Sequence, residues 1–248
     1  MFSFFTSRSR EGRSGGFAGL QCDLHSHLIP GIDDGSPDLD TSLRLIRGLA
    51  ELGYKKLITT PHVNADIFPN TPDVILSGCR AVETALREQQ IDVSLHAAAE
   101  YLLDDGFSRA LADGTPLLTL KDNLVLVELS FAVPAINLKD MLFQLQLKGY
   151  QPILAHPERY LYFGANKGWY DTIRETGCLF QLNLLSFIGY YGRDAKRLAD
   201  YLVKKRYFDF LGTDLHHQRH LDALRSSGRL PQLVDRLLGT GLIQNPRL

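Results

Sequence analysis

Apolar, β-rich runs recur along this chain of 248 residues, and almost every one ends in, or is followed at once by, a histidine, aspartate or glutamate. The sequence shows Asp23-Leu-His25-Ser-His27, Asp33-Asp34-Gly35, Pro61-His62, Glu100, Glu128, His156-Pro-Glu-Arg159 and Gly212-Thr-Asp214-Leu-His216 at such places. A single His-x-His says little. Strand ends that repeatedly deliver metal-type side chains constrain the fold, because a barrel or an open α/β sheet gathers those ends on one face. The pattern points to an enzyme with a multinuclear metal centre.

Seven β-type segments can be marked, at about 21–27, 56–60, 92–100, 124–130, 152–156, 179–184 and 208–213. Their cores are short and rich in Val, Ile, Leu and Phe, as expected for strands buried on both faces. Helical patterns lie between them. Ser36-Pro37 reads as a helix start, Leu39, Leu43, Ile46, Leu49 and Ala50 recur at helical spacing, and Gly53 ends the pattern. Further helices are expected over 72–90, 137–149, 168–177 and 192–206. Alternation at roughly 30 residues per unit is the size of a βα repeat. No Pro/Gly/Ser-rich linker divides the units. The expected fold is therefore an α/β single domain over 21–248, a closed or nearly closed barrel, with a doubly wound open sheet as the alternative.

A net charge of −1 supplies no field that would recruit nucleic acid. Cys22, Cys79 and Cys178 are too few and scattered for a disulfide framework and favour a reducing compartment, read here as the cytoplasm. None opens a Cys-x5-Arg phosphate loop, since Leu28, Ala85 and Leu184 stand six positions on, which argues against a cysteine-dependent phosphatase. Met1-Phe-Ser-Phe-Phe5 is apolar but stops before Arg8, Arg10 and Arg13, the reverse of a secretory signal. Residues 1–20 are expected to form a mobile basic tail, and no run is long enough for stable membrane insertion.

Residue by residue, the donors differ in weight. His25 and His27 at i and i+2 of a strand can reach one ion, although an isolated pair is as often structural. Asp34 lies in an Asp-Gly turn, which is common punctuation by itself. His62 follows a strand-terminating proline, which places it at a rim. Glu100 ends one run, and Glu128 lies inside Val125-Leu-Val-Glu128-Leu, where a buried carboxylate is costly unless paired or bound to metal. His156 sits at a strand end, and Asp214 and His216 repeat the i, i+2 geometry behind Gly212. Arg159 matches the planar oxygen fork of a phosphate, with a local ion pair to Glu158 or Asp171 as the plain alternative. Asn183 reads equally as site support or as a buried hydrogen-bonded amide. His96, His217 and His220 stay outside the set. Nitrogen and oxygen donors without thiolate suit Mn²⁺, Fe or Zn²⁺.

These motifs resemble the polymerase-and-histidinol-phosphatase (PHP) superfamily, and within it the bacterial manganese-dependent protein tyrosine phosphatases of capsular and exopolysaccharide synthesis. The resemblance is carried by Asp23 to Gly35, Thr59-Thr-Pro-His62, Glu100, Glu128-Leu-Ser130, Leu154-Ala-His-Pro-Glu-Arg-Tyr160 and Gly212-Thr-Asp-Leu-His216. It implies a distorted (β/α)7 barrel with up to three ions, Mn²⁺ first and Fe or Zn²⁺ compatible. One ion would be held by His25, His27, Glu100 and Asp214. A second would share Glu100 and use Glu128 and His156, and a third would use Asp34, His62 and His216. Arg159 would bind phosphate, with Arg219 as a weaker second candidate. Ala98-Ala-Glu-Tyr-Leu102 departs from the pattern many relatives show around the bridging glutamate, so the nearby pocket wall is expected to differ.

The implied reaction is hydrolysis of phosphotyrosine by a metal-activated hydroxide, and the implied partner is the phosphorylated tail of a bacterial tyrosine autokinase. A small-molecule phosphatase of histidinol-phosphate type and a metal-dependent amidohydrolase are the rival enzyme readings. The amidohydrolase reading lacks a well-placed interior lysine. A degenerate barrel acting as a binding module is the rival without chemistry, and the full donor set argues against it. The sequence leaves the oligomeric state open.

Overall fold

The strand–helix alternation closes on itself. The computed structural model describes residues 16–133 and 135–248, and all of its strand ladders are parallel. The strands are β1 (Cys22–Asp23), β2 (Lys56–Thr59), β3 (His62–Val63), β4 (Ser94–Ala97), β5 (Glu100–Leu102), β6 (Leu124–Glu128), β7 (Gln151–Ala155), β8 (Leu179–Asn183) and β9 (Phe210–Gly212). They form one sheet in the order β1-β2-β4 and another in the order β3-β5-β6-β7-β8-β9.

The two sheets are halves of one distorted barrel. Thr60 and Pro61 separate β2 from β3, and Ala98 and Ala99 separate β4 from β5, so each pair is one run broken in the middle. Hydrogen bonds from Ala98 N to Thr59 O (2.9 Å) and Glu100 N to Pro61 O (3.1 Å) carry the pairing across the breaks. At the other seam Ser26 pairs with Leu215. There Asp214 N donates to His25 O (2.8 Å) and His27 N to Leu215 O (2.9 Å). The expected seven staves are all present, but all except the one at 152–156 are shorter as regular strands than the apolar runs suggest. Over 56–60 the cause is Pro61, which has no N–H for the ladder.

Alternation along the staves separates two apolar layers. Leu126, Ile153, Ala155, Phe210, Ile58 and Leu24 fill the barrel interior. Val125, Val127, Leu154, Phe180 and Leu182 face the surrounding helices. Glu128 is in phase with Leu126, so the interior face of β6 ends in a carboxylate at the C-terminal mouth.

Helices α2 (Leu39–Glu51), α3 (Pro72–Glu88), α5 (Leu138–Leu147), α6 (Gly168–Glu175) and α7 (Arg193–Lys205) occupy the expected intervals. The α2 cap is Asp38, not Ser36, because the Asp38 carboxylate accepts from Thr41 N at 2.7 Å. Three helices escape the sequence pattern: α4 (Asp105–Ala112), α8 (Gln218–Ser226) and α9 (Leu230–Leu238). They are short, and Asp104 caps α4 through Phe107 N at 2.6 Å.

The expected tail needs one correction. Residues 1–15 lie outside the described residues, but Phe17–Leu20 form a helical turn, α1, with Phe17 and Leu20 buried. Gly16 N donates to Asp235 Oδ1 (2.6 Å), and Phe17 packs 6.1 Å from Tyr54. Two apolar side chains that cover the barrel beside α9 outweigh the disorder suggested by the basic, glycine-rich stretch before them. Among the described residues no helix is long and apolar enough to cross a membrane.

Candidate metal centre

Nine donors expected from the sequence meet at the C-terminal mouth of the barrel. Their ligand atoms fall into overlapping groups: His27, Asp34, His62 and His216; His25, His27 and Glu100; His25, His156 and Asp214; and His62, Glu100 and Glu128. Within each group the atoms lie inside 4.8 Å of one another. The grouping differs from the implied one in two respects. Glu128 sits with His62, whose Nδ1 is 3.0 Å from Glu128 Oε1, and His156 sits with His25 and Asp214. His62 and Glu100 are register partners across β3 and β5, which brings His62 inward toward both glutamates.

The two imidazoles of the first stave are oriented from behind. Gln181 Oε1 is 2.8 Å from His25 Nδ1, and Asp33 Oδ2 is 2.8 Å from His27 Nδ1. Both oxygens can only accept, so each Nδ1 carries the proton and each Nε2 is the ligating atom when the ring is neutral. His25 Nε2 then faces Glu100 Oε2 at 3.1 Å and Asp214 Oδ1 at 3.4 Å. His27 Nε2 faces the same two carboxylates at 3.5 and 3.6 Å. Asp33 also accepts from Gly35 N and His62 N, at 3.0 and 3.2 Å. Gly35 has room there only without a side chain, since a Cβ would stand 2.4 Å from His27 Cβ.

Glu100 is the hub. It is fully buried, with His25, His62 and His156 within 3.2 Å of its two oxygens. Burial opposes its charge, but the neighbouring imidazoles, His25 first, hold it well below the usual carboxylate range. Burial and the Glu100 charge push the adjoining Glu128 carboxyl upward. For His25, burial disfavours the cation, but Glu100 and Asp214 outweigh it and lift the ring to about 9. His156 goes the other way, down to about 4, through burial and the Arg159 charge. It leaves β7 with φ of 32°, a left-handed conformation that turns its ring back over the mouth.

Arg159 Nη1 donates to Asp214 Oδ2 at 2.6 Å, not to Glu158 or Asp171. Its guanidinium carbon lies 4.7 Å from the Phe131 ring centroid and 4.1 Å from that of Tyr191. Asn183 Nδ2 also donates to Asp214 Oδ2, at 3.0 Å. Asp214 therefore carries its charge well below the usual range despite burial, with His25 and His216 the main counter-charges. Asp34 and His216 stand at the outer rim, 3.4 Å apart. Arg219 is exposed on the first turn of α8, and among the described residues it forms no ion pair.

Several contributors lie outside the sequence-derived set. Gln181, Asp33, Tyr191 and Phe131 each touch a donor or Arg159. Gln181 had a signal, because a glutamine and Asn183 at i and i+2 of a buried strand share one face. Asp33 did not, since nothing in Asp33-Asp34 says which carboxylate orients and which faces the mouth. Asp23 accepts from Thr213 N and Thr213 Oγ1, at 2.9 and 2.7 Å, and locks the first and last staves together below the donors.

The donor set fits divalent ions. His27 Nε2, His62 Nδ1 and Glu100 Oε1 are buried and make no hydrogen bond, although oppositely charged atoms stand within 3.0–3.5 Å. Close approach without hydrogen-bond direction is the arrangement of lone pairs that share a cation rather than a proton.

Comparison with known proteins agrees with this architecture. Residues 21–228 match the family described as capsular polysaccharide synthesis, CpsB/CapC. The chain is 28% identical over 196 residues to the tyrosine-protein phosphatase YwqE of Bacillus subtilis, covering 79% of this chain and 77% of that protein. It is 26% identical over 203 residues to the tyrosine-protein phosphatase CpsB of Streptococcus agalactiae, covering 79% and 82%. A crystal structure from work on YwqE of B. subtilis and CpsB of Streptococcus pneumoniae, described as unique metal-dependent tyrosine phosphatases, superposes with a TM-score of 0.76 at 26% identity, over 90% of this chain and 94% of that one. The histidinol phosphate phosphatase of Lactococcus lactis shares the fold at a TM-score of 0.52 and 13% identity, over 86% and 93%. With its barrel, its donor cluster and a match over residues 21–228, the chain belongs to the CpsB/CapC family of capsular polysaccharide synthesis.

Proposed function

We propose that this chain is a metal-dependent phosphoric monoester hydrolase that removes phosphate from protein phosphotyrosine. The observation that carries the reading is the convergence of nine nitrogen and oxygen donors, without thiolate, with the buried Glu100 among them. His25, His27, Asp34, His62, Glu100, Glu128, His156, Asp214 and His216 hold the ions. Mn²⁺ is the ion we assign, in up to three positions, on the resemblance to manganese-dependent phosphatases; the carboxylate and imidazole donors fit Mn²⁺, Fe and Zn²⁺ alike. When bound, the metal supplies Lewis acidity toward the phosphoryl group and a hydrolytic nucleophile at neutral pH.

The chain's own groups do the rest. Gln181 and Asp33 orient His25 and His27 and keep a proton on each Nδ1, so that Nε2 is the atom that gives up its proton to bind an ion. Arg159 keeps one nitrogen on Asp214 and retains further N–H groups for phosphoryl oxygens, where its charge offsets the charge that redistributes in the transition state. Arg219, three residues beyond His216, serves as a second, outer anion contact. Phe131 and Tyr191 shield the guanidinium from water, which strengthens its interactions.

The family match and the tyrosine phosphatase relatives support a phosphotyrosine-bearing protein as the partner, and the partner we propose is a tyrosine autokinase tail in the control of capsular or exopolysaccharide synthesis. The three free, buried cysteines suit the cytoplasm, where such a tail would lie. The test is phosphate release from a phosphotyrosine peptide and from histidinol phosphate, after chelation and after Mn²⁺ is restored. Metal-dependent release from the peptide supports the reading. Preference for histidinol phosphate moves the chain to a small-molecule phosphatase.

A further inference from the structure

The mouth of the site is aromatic on one side, and the hydrolysis just proposed uses that feature only to shield Arg159 from water. Phe131, in the loop after β6, is half exposed at 50%. Its ring stacks on His156 with centroids 5.5 Å apart and an interplanar angle of 26°, and it lies 5.5 Å from the Tyr160 ring. The Arg159 guanidinium carbon is 4.7 Å from its centroid. One large apolar ring is thus fixed against both a metal-type donor and the phosphate-type arginine, with half of its surface left to solvent. A half-exposed phenylalanine is ordinary on a protein surface. One fixed beside the two groups that would hold a phosphoryl group is placed to meet what the phosphoryl group is attached to.

We infer that Phe131 is a specificity-determining residue whose exposed surface receives the aryl ring of the substrate and so selects aryl over alkyl phosphate esters. The inference rests on the proposed phosphatase activity and adds its leaving-group preference. A phosphoryl group on Arg159 and beside His156 leaves its ester substituent only one bridging oxygen away. An aryl substituent there comes within the roughly 4.5–7 Å centroid range of favourable ring pairs, which an alkyl chain cannot exploit in the same way. Phe68 also stacks on a donor histidine, His62, at 5.5 Å, but the rings beside Arg159 are Phe131 and Tyr191, and of these two Phe131 is the more exposed.

The test separates a ring contact from simple support of Arg159. Binding of phenylphosphonate and of methylphosphonate to the Mn²⁺-loaded full chain is measured by calorimetry, with kcat/KM for phenyl phosphate alongside. Phe131→Ala should weaken phenylphosphonate about fivefold to tenfold, the order of one aromatic contact, and change methylphosphonate less than about twofold. Phe131→Tyr should restore the difference, and kcat/KM for phenyl phosphate should fall and recover in parallel. Equal weakening of both phosphonates by Phe131→Ala would mean that the ring only positions Arg159 or His156. That result, or no change at all, overturns the inference while leaving the phosphatase reading intact. Wild-type protein that binds neither phosphonate and hydrolyses no aryl phosphate would overturn the phosphatase reading itself, and this one with it.

Discussion

Gln181 and His25, 156 positions apart in the chain, are joined by a 2.8 Å contact between Oε1 and Nδ1, and that contact decides which nitrogen of His25 can bind a metal. Gly212 makes the contact sterically feasible. A Cβ at that position would lie 2.6 Å from Gln181 Nε2 and 3.0 Å from His25 Cβ.

Gln181→Leu should therefore weaken metal binding about 10- to 100-fold, the usual cost of losing the partner behind a ligating histidine. Saturating Mn²⁺ should recover most of kcat. Competitive titration with a chelating indicator gives the affinity. Unchanged affinity would show that the glutamine only fills space.

Gly212→Ala should crowd the same place. The expected cost is about 1–3 kcal/mol of unfolding free energy, as for other overpacked interiors, together with weaker metal binding. Urea midpoints of the chelated proteins separate the folding effect from the metal effect.

Arg159→Lys keeps a charge but loses the planar fork. We expect kcat/KM on a phosphotyrosine peptide to fall about 10²- to 10³-fold, with metal content unchanged. Steady-state kinetics with metal analysis checks both parts. A loss of metal instead would place Arg159 among the groups that hold Asp214 rather than among those that meet substrate.

Glu100→Gln should remove metal-dependent activity altogether, because one carboxylate serves donors from three other staves. His156→Ala and Asp214→Ala should do the same with little unfolding. Circular dichroism and turnover measured together test this, and full activity in any of the three would defeat the assignment.

Glu158 gives a pH signature in folding. Burial pushes its carboxyl up to about 7, against hydrogen bonds from Ser186 Oγ and Asn183 N to Oε1 at 2.7 and 2.8 Å. The folded protein holds this proton more tightly than the unfolded chain, where a glutamate titrates near about 4.3. Its contribution to stability is thus complete below pH about 4.3 and is lost as pH rises through about 7. Glu158→Gln keeps an acceptor oxygen and does not titrate. The stability of the wild type minus that of Glu158→Gln should fall between pH 5 and pH 8, by urea unfolding of chelated protein. A constant difference would show that Glu158 is ionised in the fold at both pH values.

Much of this molecule is readable locally. Leu124 to Glu128 announces a buried strand with a carboxylate at its end, and the spacing in α2 announces an amphipathic helix. These features depend on residues within a turn or a pleat of one another. The nine donors were readable for the same reason, as unusual polar residues at the ends of apolar runs. The helices α4, α8 and α9 were not, although α6, no longer than any of them, was. Nor was the docking of Phe17 and Leu20, which depends on the distant α9.

The alternation of strands and helices, the side chains available for a metal and the phosphate-type arginine are all written in the order of the amino acids. The tertiary structure alone decided how they combine. It set Glu128 against His62 rather than His156, paired Arg159 with Asp214 rather than a neighbour in the chain, and chose Asp33 to orient His27 while Asp34 faces the rim. Side-chain pattern is a short-range property, whereas those pairings are fixed by register around a closed barrel, where Ser26 must meet Leu215 across nearly the whole chain.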